Sequence, residues 1–300
     1  MAYDSILVPT DGSDHADRAT AHALSLAETF DATVHALSVV DIARLAGPFD
    51  AGGVDATFID RVREQAKKDI EHVENRWAQP DQYRGEVREG TPSRAILEYI
   101  DEHDIDLVAM GTHGRRGLSR FVLGSVTEHV LRASPVPVLA TRASDDDPPT
   151  LPYRNIMVPT DGSTCADGAV EHALDIASAS GATVHAINVV DTELFVTAPG
   201  QMAPSGYIDT LEEKGKESVE EIATRGDAAN VTVSKATAEG RPSEGILDYA
   251  TENEIDLVVM GTHGRGGLDR FLLGSTTERV IRQSSFPVLA VPVADEEPET

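Results

Sequence analysis

The residues MGTHGRRGLSRFVLGS at positions 110–125 recur as MGTHGRGGLDRFLLGS at positions 260–275. Each copy follows an apolar run that is typical of a buried strand, and each leads into a helical pattern that begins at Ser125 or Ser275. A strand, a glycine-rich loop and a helix N-terminus in this order form a candidate phosphate-binding cradle.

The repeat extends over nearly the whole chain of 300 residues. Between 105–140 and 255–290, 26 of 36 positions are identical, and markers such as Asp11 and Asp161 keep the same offset of 150. A period of this length is far too long for a solenoid and indicates a duplicated domain. We predict a first domain over 1–143, a linker over 144–152, a second domain over 153–293 and an acidic tail over 294–300.

Strand and helix patterns alternate within each copy. In the first copy, strands are predicted near 5–8, 33–40, 83–87, 105–110 and 136–141, with helices near 13–30, 56–77, 92–102 and 125–133. This order predicts an α/β fold, with a doubly wound, Rossmann-like parallel sheet covered by helices on both faces. Ligands bind such sheets beyond the carboxyl ends of the strands, where the strand order reverses. If the first and fourth strands are neighbours, Asp11 and Gly111 meet there.

The composition limits the classes of partner. The net charge is −26 and only five lysines occur, so a nucleic acid or an anionic membrane surface is not an expected partner. No apolar run approaches the ~20 residues of a membrane span, and Cys165 is the only cysteine. These features predict a soluble, cytoplasmic protein. The acidic, lysine-poor surface is typical of halophilic proteins, and an ordinary acidic cytosolic protein is the alternative.

The residues at the carboxyl edge suit a nucleoside with phosphates. Asp11 can accept hydrogen bonds from ribose hydroxyls, Val39 offers an apolar ledge for a base, and the loop backbone can donate to phosphate. We expect Gly111 and Gly114 to take positive φ and let the backbone approach an anion. Ser125 leaves two alternatives open, because with Glu128 it also matches the S-x-x-E capping box and could simply cap its helix.

Pro9-Thr10-Asp11, Val39 and the spacing Gly111-x2-Gly114-x9-Gly124-Ser125 resemble the universal stress protein family, whose ATP-binding members carry G-x2-G-x9-G-[ST]. The resemblance covers both copies. It implies five-stranded parallel sheets in the order 3-2-1-4-5, with ATP at the carboxyl edge and the two domains packed as a pseudo-dimer. The nucleotide-binding residues that it implies are Pro9, Thr10, Asp11, Val39, Met110, Gly111, Gly114, Gly124, Ser125, Val126 and Thr127 in the first copy, and Pro159, Thr160, Asp161, Val189, Met260, Gly261, Gly264, Gly274, Ser275, Thr276 and Thr277 in the second.

The expected function is that of an ATP-binding stress-response regulator or chaperone-like switch that binds ATP, ADP or AMP. Mg²⁺ would arrive with the nucleotide rather than in a protein metal site. No P-loop lysine occurs and only His113 and His263 offer a base in the loops, so we expect no catalytic residue and at most weak ATP hydrolysis. The alternatives are an interaction scaffold that binds no nucleotide and a slow ATPase. Intramolecular domain pairing is expected, a homodimer is possible, and the protein partner is unspecified.

Overall fold

The computed structural model of the chain describes residues 3–42, 56–114, 123–142, 150–192, 206–263 and 273–293. The chain divides into two compact units between Pro149 and Thr150. Gly264, most of the predicted linker and the acidic tail lie outside the described residues.

The first unit alternates strands and helices as the sequence predicts. Its described elements are β1 (Ser5–Pro9), α1 (Asp14–Phe30), β2 (Thr33–Val40), α2 (Ala56–Glu74), β3 (Tyr83–Glu89), α3 (Pro92–Glu102), β4 (Leu107–Gly111), α4 (Ser125–Ala133) and β5 (Val138–Thr141), with a short 3-10 helix at Pro80–Gln82. The strands form a parallel sheet in the order β3-β2-β1-β4-β5. This confirms the predicted order 3-2-1-4-5.

The second unit repeats this arrangement. Its described elements are β6 (Asn155–Pro159), α5 (Thr164–Ser180), β7 (Thr183–Val190), α6 (Tyr207–Ala229), β8 (Val233–Glu239), α7 (Pro242–Glu252), β9 (Leu257–Gly261), α8 (Ser275–Gln283) and β10 (Val288–Val291). Its sheet is again parallel, in the order β8-β7-β6-β9-β10. In both units the reversal of strand order therefore falls where the first and fourth strands pair.

The core of each sheet lies on these central strands. Ile6, Leu7 and Val8 of β1 are fully buried, because both faces of a central parallel strand are covered. Helix α1 buries a stripe of mostly small residues, including Ala19 and Ala23, as its helical spacing predicts. Small side chains let the helix approach the carboxyl ends of β1 and β4 closely.

Several predicted boundaries shift by a few residues, two of them with a consequence for packing or pairing. Helix α2 ends at Glu74 rather than near residue 77, and the buried Trp77 follows it. The last strand of the first unit begins at Val138, so Pro137 precedes the strand instead of lying in it; its carbonyl accepts a hydrogen bond from the Val108 amide (3.0 Å). A proline lacks the N–H that a strand ladder uses, which explains the later start.

None of the helices in the described ranges combines the length and apolar character needed to cross a membrane.

Candidate functional site

The turn that follows the first strand of each domain is built in the same way. In the second domain the Gly162 amide donates to Oγ1 of Thr160 (3.1 Å), and the Ser163 amide donates to Oδ1 of Asp161 (3.0 Å). Gly162 has a φ of 71°, which a glycine adopts without strain. The Ser163 hydroxyl then caps helix α5. The turn therefore fixes the Asp161 carboxylate at the carboxyl end of the sheet.

The first domain has the same turn with nearly identical distances. The Gly12 amide lies 3.1 Å from Oγ1 of Thr10, and the Ser13 amide lies 3.1 Å from Oδ1 of Asp11. Gly12 has a φ of 68°. The duplicated sequence thus produces a duplicated turn geometry.

The expectation of positive φ at Gly111 and Gly114 is wrong, because neither is among the described glycines with positive φ. Gly111 is the last residue of β4 and lies against helix α1: a methyl group on it would lie 2.7 Å from Cβ of His15 and 2.8 Å from its carbonyl carbon. A methyl group on Gly261 would lie 2.6 Å from Sγ of Cys165. Glycine is needed here for close packing of the strand end on the helix.

The glycine loop of the first domain reaches Asp11. A methyl group on Gly114 would lie 2.5 Å from Oδ2 of Asp11, so the loop and the carboxylate are neighbours. The loop is also closed at its far end, where the Gly124 amide donates to the Thr112 carbonyl (2.8 Å). The corresponding bond in the second domain joins the Gly274 amide to the Thr262 carbonyl (2.7 Å).

The glycine loop ends in a helix N-terminus without a side-chain cap. Helix α8 begins at Ser275, and its N-cap is Gly274, which makes no side-chain cap bond. The carboxylate of Glu278 pairs with Arg282 (2.6 Å). Helix α4 begins in the same way at Ser125. The capping-box alternative is therefore wrong, and the exposed serines present their hydroxyls at an uncapped helix start, which favours an anion.

The predicted phosphate-site threonines have a structural bond. The hydroxyl of Thr277 donates to the carbonyl of Gly261 (2.8 Å), and Thr127 does the same to Gly111 (2.7 Å). Both threonines are buried. Each bond ties the first turn of a helix to the end of the fourth strand, so the helix start is held at the sheet edge.

We predict that Thr277→Val lowers the free energy of unfolding of the second domain by about 1–2 kcal/mol, because it leaves the buried Gly261 carbonyl without this donor. Chemical denaturation of the full chain measures the change. Thr276→Val is the matched control, since the Thr276 hydroxyl makes no hydrogen bond within the described part of the chain. Equal losses for the two variants would contradict the assigned role.

These elements line a cleft of about 430 Å³ in the second domain. The cleft contains every described candidate residue of that domain: Pro159, Thr160, Asp161, Val189, Met260, Gly261, Gly274, Ser275, Thr276 and Thr277. Gly264 lies outside the described residues. The structure thus brings together residues from four separate segments of the sequence.

The cleft also has walls that the sequence analysis missed, namely Ala166, Ile187, Pro242, Ile246 and Leu273. Pro242 and Ile246 lie four residues apart on helix α7 and therefore on one face of it. That spacing is the signal that could have identified them. They add apolar surface near Val189.

The first-domain candidates occupy equivalent positions. Pro9 ends β1, Val39 lies near the end of β2, and Met110 and Gly111 end β4. The remaining candidates are Thr10 and Asp11 in the turn, Gly114 in the loop, Gly124 at the N-cap, and Ser125, Val126 and Thr127 in the first turn of α4. The Gly114 contact with Asp11 and the Thr127 bond to Gly111 bring the two sides of this site together.

The loop histidines have different neighbours in the two domains. Nδ1 of His113 lies 3.1 Å from Oγ1 of Thr112, and its ring packs near that of His15. His263 lines the second cleft, and its amide donates to Sγ of Cys165 (3.4 Å). Burial raises the pKa of the Cys165 thiol, which disfavours the reactive thiolate.

Comparison with known proteins identifies the family. The model of the universal stress protein family matches residues 2–142 and 152–292. A universal stress protein of Methanocaldococcus jannaschii is 39% identical over 46% of this chain and 82% of its own length. The crystal structure of a universal stress protein from Archaeoglobus fulgidus matches 99% of this chain and 98% of its own, with 24% identity and a TM-score of 0.72. One solved universal stress protein is in complex with cAMP; it is 28% identical to this chain and matches 47% of this chain and 98% of its own, with a TM-score of 0.35. The present chain belongs to the universal stress protein family and carries two of its domains in tandem.

Proposed function

We propose that each domain binds an adenine nucleotide, ATP, ADP or AMP, at the carboxyl edge of its sheet, and that the chain is a nucleotide-dependent regulator rather than an efficient catalyst. The observation that carries the proposal is the cleft of the second domain. It gathers a carboxylate, an apolar wall and an uncapped helix start into one space of about 430 Å³. This volume lies within the range of small-molecule sites.

The apolar end of the cleft fits a base. Ile187 and Val189 of β7 face the space together with Pro242 and Ile246 of α7, and Met260 lies near the end of β9. A purine ring transferred to such a surface loses little hydrogen bonding on its faces and gains apolar contact. This end also agrees with the role that the family resemblance gives to Val189.

The polar end fits a ribose and phosphates. Asp161 is placed to accept hydrogen bonds from ribose hydroxyls, and the amides at the start of α8 can donate to phosphate oxygens. No lysine or arginine occurs among the described lining residues, so the polyphosphate charge would be met by main-chain donors and by Mg²⁺ that accompanies the nucleotide.

The same lining argues against fast hydrolysis. Phosphoryl transfer depends on positioned cations that neutralise charge as it develops in the transition state. Within the described lining, Asp161 and His263 are the titratable side chains, and neither supplies a fixed cation comparable with a P-loop lysine. We therefore infer that bound ATP acts mainly through occupancy.

The proposal predicts two nucleotide sites per chain. In calorimetric titration with ATP and Mg²⁺, Gly124→Trp and Gly274→Trp should each remove one site, because each indole fills the space between a loop and a helix start. Asp161→Asn in the Gly124→Trp background should weaken binding roughly tenfold or more, the effect of losing a hydrogen bond to a charged group. Asp167→Asn is the control, since it makes the same charge change on the exposed face of α5.

The outcomes separate the three candidate functions. Folded wild-type protein that binds no nucleotide would support the scaffold, and steady release of ADP that Asp161→Asn abolishes would support the slow ATPase. Intramolecular domain pairing and a homodimer remain predictions of the family resemblance. Light scattering with and without ATP measures whether occupancy changes the assembly.

A further inference from the structure

We propose that Asn188 is a positioning residue of the second cleft, that it holds the Thr160–Asp161 turn through one side-chain hydrogen bond, and that Gly215 provides the space for it. The proposal deepens the proposed function, on which its consequence for ribose binding rests. Its structural part concerns the turn alone and is tested without nucleotide.

The turn is held from two directions. The Asn188 side chain is buried, and its Nδ2 donates to the carbonyl of Thr160 (2.8 Å). The amide of Thr160 donates to the carbonyl of Ile187 (2.8 Å). Strand β7 therefore bonds both the N–H and the C=O of the residue that directly precedes Asp161. A buried bond of this kind restricts the orientation of the Thr160–Asp161 peptide.

Gly215 of helix α6 is required by this arrangement. A methyl group on it would overlap Oδ1 of Asn188 and would lie 2.8 Å from its Cγ. The side chain of Asn188 is short and its Oδ1 cannot move without turning Nδ2 away from Thr160. Any larger residue at position 215 therefore competes with the bond.

The first domain has neither an asparagine at the position of Asn188 nor a glycine at the position of Gly215. Its counterparts are Ser38 and the buried Ala66. In this helix the repeat has an offset of 149 residues, since Arg76 pairs with Asp17 as Arg225 pairs with Asp167. Within the described ranges, Ser38 makes no side-chain bond to the Thr10 carbonyl. The Thr10 amide still donates to Leu37 (2.8 Å), as in the second domain. The two turns thus share every other bond described above and differ at Asn188.

This difference makes the first-domain turn an internal control. In hydrogen exchange measured by mass spectrometry on the full chain, Asn188→Ser should speed exchange of the amides in 160–163 roughly tenfold, the equivalent of one net hydrogen bond. Exchange in 10–13 should not change. Unchanged exchange in 160–163 would overturn the proposal.

The reverse transplant tests the role of Gly215. Ser38→Asn with Ala66→Gly should slow exchange in 10–13, whereas Ser38→Asn alone should not, because the methyl group of the buried Ala66 then occupies the space that the amide needs. Equal effects of the single and double variants would overturn the part assigned to Gly215. If Asn188→Ser does not fold, this pair of variants decides the proposal by itself.

Nucleotide binding supplies a second readout. In the Gly124→Trp background, Asn188→Ser should weaken ATP binding about fivefold to tenfold and should weaken binding of 2′-deoxy-ATP less, because a displaced Asp161 affects the ribose contact first. Equal losses for both nucleotides would contradict the positioning role. If wild-type protein binds neither nucleotide, the proposed function fails, while the exchange experiment still decides whether Asn188 holds the turn.

Discussion

Replacing Gly261 by alanine is expected to destabilise the second domain by about 1–3 kcal/mol, the range found for overpacked cores. The new methyl group would lie 2.6 Å from Sγ of Cys165 and 2.9 Å from its carbonyl oxygen. The thiol can rotate, but the carbonyl belongs to the first turn of α5 and moves only with the helix. Urea denaturation of the full chain, followed by circular dichroism, measures the loss.

Gly168→Ala is the matched control for this variant. Gly168 lies inside the same helix, and a methyl group on it would lie 3.7 Å from Cγ1 of Val291, an ordinary contact. Alanine is a better helix former than glycine, so this change should stabilise the domain by about 0.5–1 kcal/mol. Opposite signs for the two substitutions are expected. A destabilisation of similar size in both would show that the strand end and the helix are less closely packed than the structure indicates.

The second large effect is a loss of stability in acid that comes from buried histidines of the first domain. Burial, and next the charge of Arg18, lowers the pKa of His22 from 6.5 to about 3. Burial, and next the charges of His103 and Arg84, lowers the pKa of His35 to about 4. The unfolded chain therefore binds more protons than the folded chain from about pH 6.5 down to these values. Stability is fully present above pH 6.5 and falls by about 1.4 kcal/mol per pH unit for each histidine within its window.

His22→Gln isolates this contribution, because glutamine does not titrate. The free energy of unfolding is measured at pH 7.5, 6.0 and 5.0 and at constant ionic strength. It should fall less steeply with decreasing pH for His22→Gln than for the wild type, and the difference between the two slopes should correspond to about one bound proton. His129→Gln, at an exposed position of α4, is the matched control for a histidine-to-glutamine change. Parallel pH profiles for all three proteins would refute the assignment to His22.

The architecture could be predicted because its signals are local and duplicated. The bounds of β2, α3 and α4 follow from a β-branched run, from Pro92 at a helix start and from the glycine before Ser125. The repeat then supports each prediction twice. The order of the strands followed from the family resemblance and is confirmed in both units.

The missed features depend on contacts between distant parts of the chain. Gly111 looked like a loop glycine with positive φ, but its role is set by His15, almost a hundred residues earlier. The S-x-x-E pattern also predicts a cap, yet Gly124 takes the capping position and leaves Ser125 one residue inside the helix. Asn188 is unremarkable as a residue of a strand. Its role requires the positions of Thr160 and Gly215, which no local pattern relates.

The serine and asparagine that distinguish the two turns also have a consequence for the proposed nucleotide binding. Under that proposal the two sites of one polypeptide are present in equal number, and a difference in the rigidity of their turns would make them fill at different nucleotide concentrations. The binding curve of the whole chain would then rise in two steps, over a broader range of nucleotide concentration than the curve of either site alone. Under the proposed function, a duplication that kept both turns but added the asparagine bond to only one of them would thereby have widened the range of nucleotide concentration over which the chain responds.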